Sequence, residues 1–138
     1  MKKLILALML TTSVFATTAD VNCTVSGPLV VEGTFGTVVF RRADLDFTNL
    51  EKEDVSGTTL VIRDMFGTGY EVFNRLWTNR ARCSGNSTCV NTDFSSLRGL
   101  SFEIPNSVFQ NDNQRFTMRV RQNSPHRSAF ANCTSSIR

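Results

Sequence analysis

The sequence predicts a mainly β fold, a disulfide-stapled antiparallel β-sandwich or barrel. Three observations carry that expectation. Apolar and polar residues alternate over short stretches, Gly, Asn and Pro turns separate six or more of them, and four cysteines follow an export-like start. Ten of the eleven phenylalanines lie beyond that start and, with many Val, Leu and Ile, can supply a core.

The start itself comes first. Lys2 and Lys3 precede an apolar run from Leu4 to Leu10, which gives way to Val14-Phe15-Ala16. This is the layout of a secretory signal peptide over residues 1–16. The run falls short of the ~20 residues that a membrane-spanning helix needs, and no later segment is a transmembrane candidate. Cleavage fits best after Ala16, with Ala19 as a second site. Residues 20–138 then form a single exported β-rich domain. Asp20, Val21 and Asn22 before Cys23 do not suit lipid attachment there, and the short dibasic start has a bacterial look. Periplasm, cell surface or medium are the expected locations.

Strand signals dominate the rest. Val21–Val31 is rich in β-branched residues, and Gly33-Thr34-Phe35-Gly36 separates it from Thr37–Phe40. Leu45–Phe47 follows, then a polar connection from Thr48 to Gly57, then Thr58–Ile62. Leu100, Phe102 and Ile104 alternate before Pro105-Asn106 ends the run. The clearest alternation sets Phe116, Met118 and Val120 on one face and Arg115, Thr117, Arg119 and Arg121 on the other. After the turn 123–127, Ser128–Ile137 pairs back as a hairpin. One segment departs from this pattern. Thr68 and Glu71 have capping-box spacing, and Tyr70, Phe73, Leu76 and Trp77 recur at helical intervals, so a short helix is expected near 69–80. Thr92–Gly99 suggests a further helical turn ending at Gly99.

Cys23, Cys83, Cys89 and Cys133 admit three pairings. Cys83 and Cys89 flank a Ser/Gly/Asn turn that closes at little cost, which leaves Cys23 with Cys133 to join the ends of the domain. Chain entropy assigns ~4.8 kcal/mol to the long ring and ~2.4 kcal/mol to the short one. Both end cysteines sit in the same tripeptide, Asn22-Cys23-Thr24 and Asn132-Cys133-Thr134. Zinc would need two close cysteine pairs and redox catalysis a Cys-x-x-Cys, so neither a metal nor another cofactor is expected. Asn22, Asn86 and Asn132 head Asn-x-Thr sequons, which matter only in a eukaryotic host.

Charge narrows the partners. The net charge is +3, and losing Lys2 and Lys3 leaves 13 basic residues against 12 acidic ones. That balance does not suit nucleic-acid binding. Lys52 is the only lysine after the signal, so arginine supplies nearly all the cations, and arginine grips carboxylates and phosphates through paired hydrogen bonds. A strand holding Arg115, Arg119 and Arg121 on its open face would line them up over ~20 Å, a grip for an acidic polysaccharide, lipopolysaccharide phosphates or an acidic protein. The same alternation also serves to blunt a sheet edge.

Catalytic kits are thin. His126 is the only histidine, no Gly-x-Ser-x-Gly elbow occurs, and the cysteines are expected to be oxidised. His126 with Glu71 or Glu103 and arginines would be a minimal set for phosphodiester cleavage. Asp44 with Asp46, and the acidic loop of Glu51, Glu53 and Asp54, would be the calcium or glycosidase candidates, yet no loop has EF-hand form. The small cystine loop, with Ser84, Asn86 and Ser87, is a rigid plug of the kind secreted inhibitors present. Its outline looks like the short cystine loop of bacterial lysozyme inhibitors, an analogy of shape alone, because Ser, Gly, Asn and Thr would not engage catalytic carboxylates strongly.

The expectation is an exported, non-catalytic binding or structural protein that meets a surface polysaccharide or exported protein through Arg115, Arg119 and Arg121. One alternative is a hydrolase inhibitor presenting Ser84, Asn86 and Ser87, and the second is a small secreted hydrolase or nuclease using His126.

Overall fold

The computed structural model describes residues 17–33, 36–64, 69–72, 76–79, 83–92, 100–123 and 126–138, with side chains for all but 27, 28, 30–33, 36–40, 69–72, 123, 126 and 127. Nine strands make up one antiparallel sheet: β1 (Thr18–Gly33), β2 (Gly36–Glu51), β3 (Thr59–Arg63), β4 (Gly69–Val72), β5 (Leu76–Thr78), β6 (Ser87–Thr92), β7 (Ser101–Pro105), β8 (Gln114–Asn123) and β9 (His126–Ile137). Their order across the sheet is β4-β3-β2-β1-β9-β8-β7-β6-β5. Neighbours in the sheet are neighbours in the chain, except where β1 and β9 join the first strand to the last.

The sheet curls into a half-barrel, so of the two expected architectures the structure takes the barrel-like one. Chain connectivity requires the curl. β4 and β5 occupy opposite ends of the order, yet Val72 and Leu76 are only four residues apart in sequence. Their Cα atoms therefore lie within ~15 Å of each other by any path. A flat sheet would separate those ends by ~38 Å. Both pieces run in the same direction, β4 paired to β3 and β5 to β6, like one strand divided between the two ends of the sheet.

The short helix expected near 69–80 does not form: 69–72 and 76–78 are strands. Free ladder edges on β3 and β6 give this segment backbone partners, with Leu60 opposite Val72 and Asn91 opposite Trp77. Pairing of residues that suit strands, such as Val72, Trp77 and Thr78, outweighs a local capping signal. The second helical turn, over 92–99, begins at Thr92, which closes β6, and otherwise lies outside the described residues. Among the described residues, a 3-10 turn, Asn106–Phe109, directly follows Pro105.

Alternation builds the core. Ala19, Val21, Cys23 and Val25 of β1 are buried, as are Ala43, Leu45 and Phe47 of β2, Leu60 and Ile62 of β3, Phe102 and Ile104 of β7 and Met118 and Val120 of β8. Val55 from the β2–β3 connection and Val108 and Phe109 from the 3-10 turn join the same cluster. Both expected disulfides are present, Cys23–Cys133 and Cys83–Cys89. Cys23 and Cys133 stand directly opposite each other on β1 and β9, both buried, so the bridge fastens first strand to last inside the core.

Two bulges bend the long β1–β2 hairpin. In one, Asp20 faces both Thr48 and Asn49, and Asn49 takes a left-handed φ of 63°, which asparagine tolerates better than most residues. Its N–H donates to Asp20 Oδ1 at 3.0 Å. In the other, Gly27-Pro28 faces Arg41, at a point where the proline's missing N–H costs the ladder least.

Candidate functional site

The outer surface of β8 and its neighbours holds the most concentrated polar chemistry among the described residues. β8 alternates as its sequence requires. Met118, Val120 and Gln122 are buried and Phe116 half-buried, while Arg115, Thr117, Arg119 and Arg121 are exposed. All three predicted arginines therefore share one open face, spread over ~20 Å of strand.

Register decides what stands beside each of them. Arg115 faces Thr134, Thr117 faces Asn132, Arg119 faces Phe130 and Arg121 faces Ser128 on β9. On β7, Glu103 faces Arg119 and Ser101 faces Arg121. The Arg119 guanidinium carbon lies 5.5 Å from the centroid of the Phe130 ring, which is 58 % exposed. A guanidinium held against an aromatic ring can still donate hydrogen bonds to an anion. Arg115 and Arg121 have no ion-pair partner among the described residues.

The repeated tripeptide has a structural meaning that the sequence alone hid. Antiparallel pairing centred on Cys23 and Cys133 sets Asn22 against Thr134 and Thr24 against Asn132. The cysteines point inward, so the two Asn-Thr pairs form a polar platform outside. A shallow depression of about 500 Å³ runs over it, lined in part by Asn22, Thr24, Arg115, Thr117, Asn132 and Thr134. A second, of about 410 Å³, continues past Arg115 toward Asp20, Asp46 and Ser136.

Acidic groups lie on the far side of this platform. Asp44 accepts a hydrogen bond from the Thr24 hydroxyl at 3.2 Å, and Asp46 lies 3.9 Å from Arg63. They share the outer face of β2, as their spacing predicts, but no group of three or more His, Cys, Asp and Glu gathers to hold a metal among the described residues. In the following connection, Asp54 accepts hydrogen bonds from Ser56, which hold its carboxyl below the ordinary range.

The cystine loop is a separate feature. Ser84, Gly85 and Asn86 are exposed and Ser87 half-buried. Asn106 secures the loop from the start of the 3-10 turn. Its N–H donates to Asn86 O at 2.8 Å, Thr88 Oγ1 donates to its Oδ1 at 2.6 Å, and its Nδ2 reaches Gly85 O at 3.4 Å. A depression of about 210 Å³ beside the loop is lined in part by Lys52, Glu53, Thr78 and Asn106.

The residues of the hydrolytic alternative are not brought together by the sheet. His126 opens β9 opposite Asn123, while Glu103 lies two strands over, opposite Arg119. Four residues along and two strands across set those backbones ~16 Å apart. Glu71, on β4, is four places from β9 in the sheet order. Phe130 and the Asn-Thr pairs escaped the sequence reading because cross-strand register is invisible in a single strand. Compared with protein-family models, with curated proteins and with solved structures, the chain matches none.

Proposed function

We propose that this protein is an exported, non-catalytic binding protein whose outer sheet face takes an anionic polysaccharide at a cell surface. The observation that carries the reading is the exposed row of Arg115, Arg119 and Arg121, of which the first and last have no carboxylate partner among the described residues. A row of three exposed cations, two of them without a carboxylate partner among the described residues, beside amide and hydroxyl groups of Asn22, Thr24, Asn132 and Thr134, suits a ligand with repeated acids and many hydroxyls. Two disulfides and the signal-like start support export.

The test is binding to immobilised polygalacturonate, with neutral dextran as control, at several salt concentrations. Native protein should bind the acidic polymer and lose affinity steeply with salt. Replacing Arg115, Arg119 and Arg121 by Gln should weaken binding and flatten the salt dependence, and an unchanged curve rejects this face.

A second reading, inhibition of a hydrolase by the loop between Cys83 and Cys89, draws on the hydrogen bonds with Asn106 that fix an exposed turn before any partner arrives. Replacing residues 84–88 by a Gly-Ser linker should abolish inhibition and leave polysaccharide binding unchanged.

A further inference from the structure

The structure points to a sugar-ring subsite formed by Trp77, Asn91, Ser101 and Arg121, and we propose that the anionic glycan crosses the strands there. The inference rests on the polysaccharide reading above and adds a direction and a contact to it. These four residues are successive cross-strand neighbours. Trp77 faces Asn91, Asn91 faces Ser101, and Ser101 faces Arg121. The row runs perpendicular to the strands from β5 to β8, over ~14 Å. It meets the arginine row at Arg121.

Each position contributes a different chemistry. Trp77 is 46 % exposed, and an open indole gives a flat platform for the apolar face of a pyranose ring. Asn91 is only 6 % exposed, and its Nδ2 has no acceptor. A covered donor without a partner is an unfavourable state that a hydroxyl or carboxylate oxygen would relieve. Ser101, half-buried, adds a hydroxyl, and Arg121, with no ion-pair partner among the described residues, offers its guanidinium to a carboxylate or sulfate. Single exposed apolar side chains are ordinary on protein surfaces. Here, however, the two large ones among the described residues, Trp77 and Phe130, each end a transverse row that contains an arginine of β8.

The chain has one tryptophan, so its intrinsic fluorescence reports on this subsite alone. The native protein is titrated with oligogalacturonate and with a sulfated heparin-derived oligosaccharide, and tryptophan emission is followed beside calorimetry. Emission should shift and saturate with the calorimetric Kd for at least one of the two. Trp77→Ala should weaken that binding roughly 5- to 10-fold and Trp77→Phe by much less, with unchanged melting temperature as the control for folding. Calorimetric binding with unaltered emission, and with Kd unmoved by Trp77→Phe or Trp77→Ala, overturns the subsite while the arginine row stands. No calorimetric binding to either oligosaccharide overturns the polysaccharide reading itself, and the subsite with it.

Discussion

The rings of Phe47 and Phe102 meet edge to face with centroids 5.1 Å apart, although their strands, β2 and β7, stand four places apart in the sheet. On a flat sheet that separation would be ~19 Å. The contact is thus made across the hollow of the curl, and it joins the two halves of the core. Both rings are fully buried. Phe102→Ala should cost ~3–5 kcal/mol in denaturant unfolding. A double-mutant cycle with Phe47→Ala should return a coupling of ~0.5–1.5 kcal/mol, and strict additivity would mean that the rings do not meet in solution.

The two disulfides should contribute unequally. Replacing Cys23 and Cys133 by Ala frees a ring that spans nearly the whole domain, so the unfolding free energy should fall by up to ~4.8 kcal/mol, against up to ~2.4 kcal/mol for Cys83 and Cys89. Midpoints of chemical denaturation for the two double mutants decide it, and the reverse order would contradict the chain-entropy account.

Asp20 should leave a mark on acid stability. Burial raises its pKa, but the Asn49 N–H and the Arg138 guanidinium, at 2.7 Å, outweigh that and hold the carboxyl below its ordinary value near 3.8. A lowered folded value means that the stabilisation is complete above the ordinary carboxylate range and is lost as pH falls through the folded value. The side chain is 35 % exposed, so solvent screening limits the effect to less than about 1 kcal/mol. Asp20→Asn keeps an acceptor for Asn49 and removes the charge. Below pH ~4 the native protein should lose stability more steeply than this variant, and parallel curves would show that Asp20 does not contribute.

Signal cleavage should follow Ala16. Ala19 is fully buried and pairs with Leu50 and Ile137, and Thr18 O accepts the Arg138 N–H at 2.9 Å. A cut after Ala19 would remove these partners. Intact mass of exported material should give Thr17 as the first residue, and a start at Asp20 would refute the expectation.

His126→Ala should leave polysaccharide affinity and salt dependence unchanged, as measured by the same binding assay. Loss of a phosphodiesterase activity in that variant would favour the hydrolytic alternative instead.

Much of this was legible in the chain. The two-residue period from Arg115 to Arg121 declared a half-buried strand, and the short spacing of Cys83 and Cys89 selected their bridge, because short-range geometry governs each; the Cys23–Cys133 bridge then followed as the remaining pair. Three features needed the third dimension. β2 reads as two fragments because Arg41, Arg42, Asp44 and Asp46 interrupt its apolar residues, although Ala43, Leu45 and Phe47 keep the period. The segment near 69–80 looks helical because local capping and spacing are visible in sequence, whereas the ladder edges that claim it come from residues 60–63 and 90–92. The rows that bring Phe130 to Arg119 and Trp77 toward Arg121 follow from the pairing register of β5 to β9, which the sequence of a single strand does not encode.

β4 and β5 stand at the two ends of the sheet. Among the described residues, the sheet's outermost ladders are only four and three residues long, too short to template the growth of a foreign strand into a fibril. The amides of β4 and β5 should exchange with solvent well before those of β1 and β9, which a sulfur link holds together at the middle of the sheet.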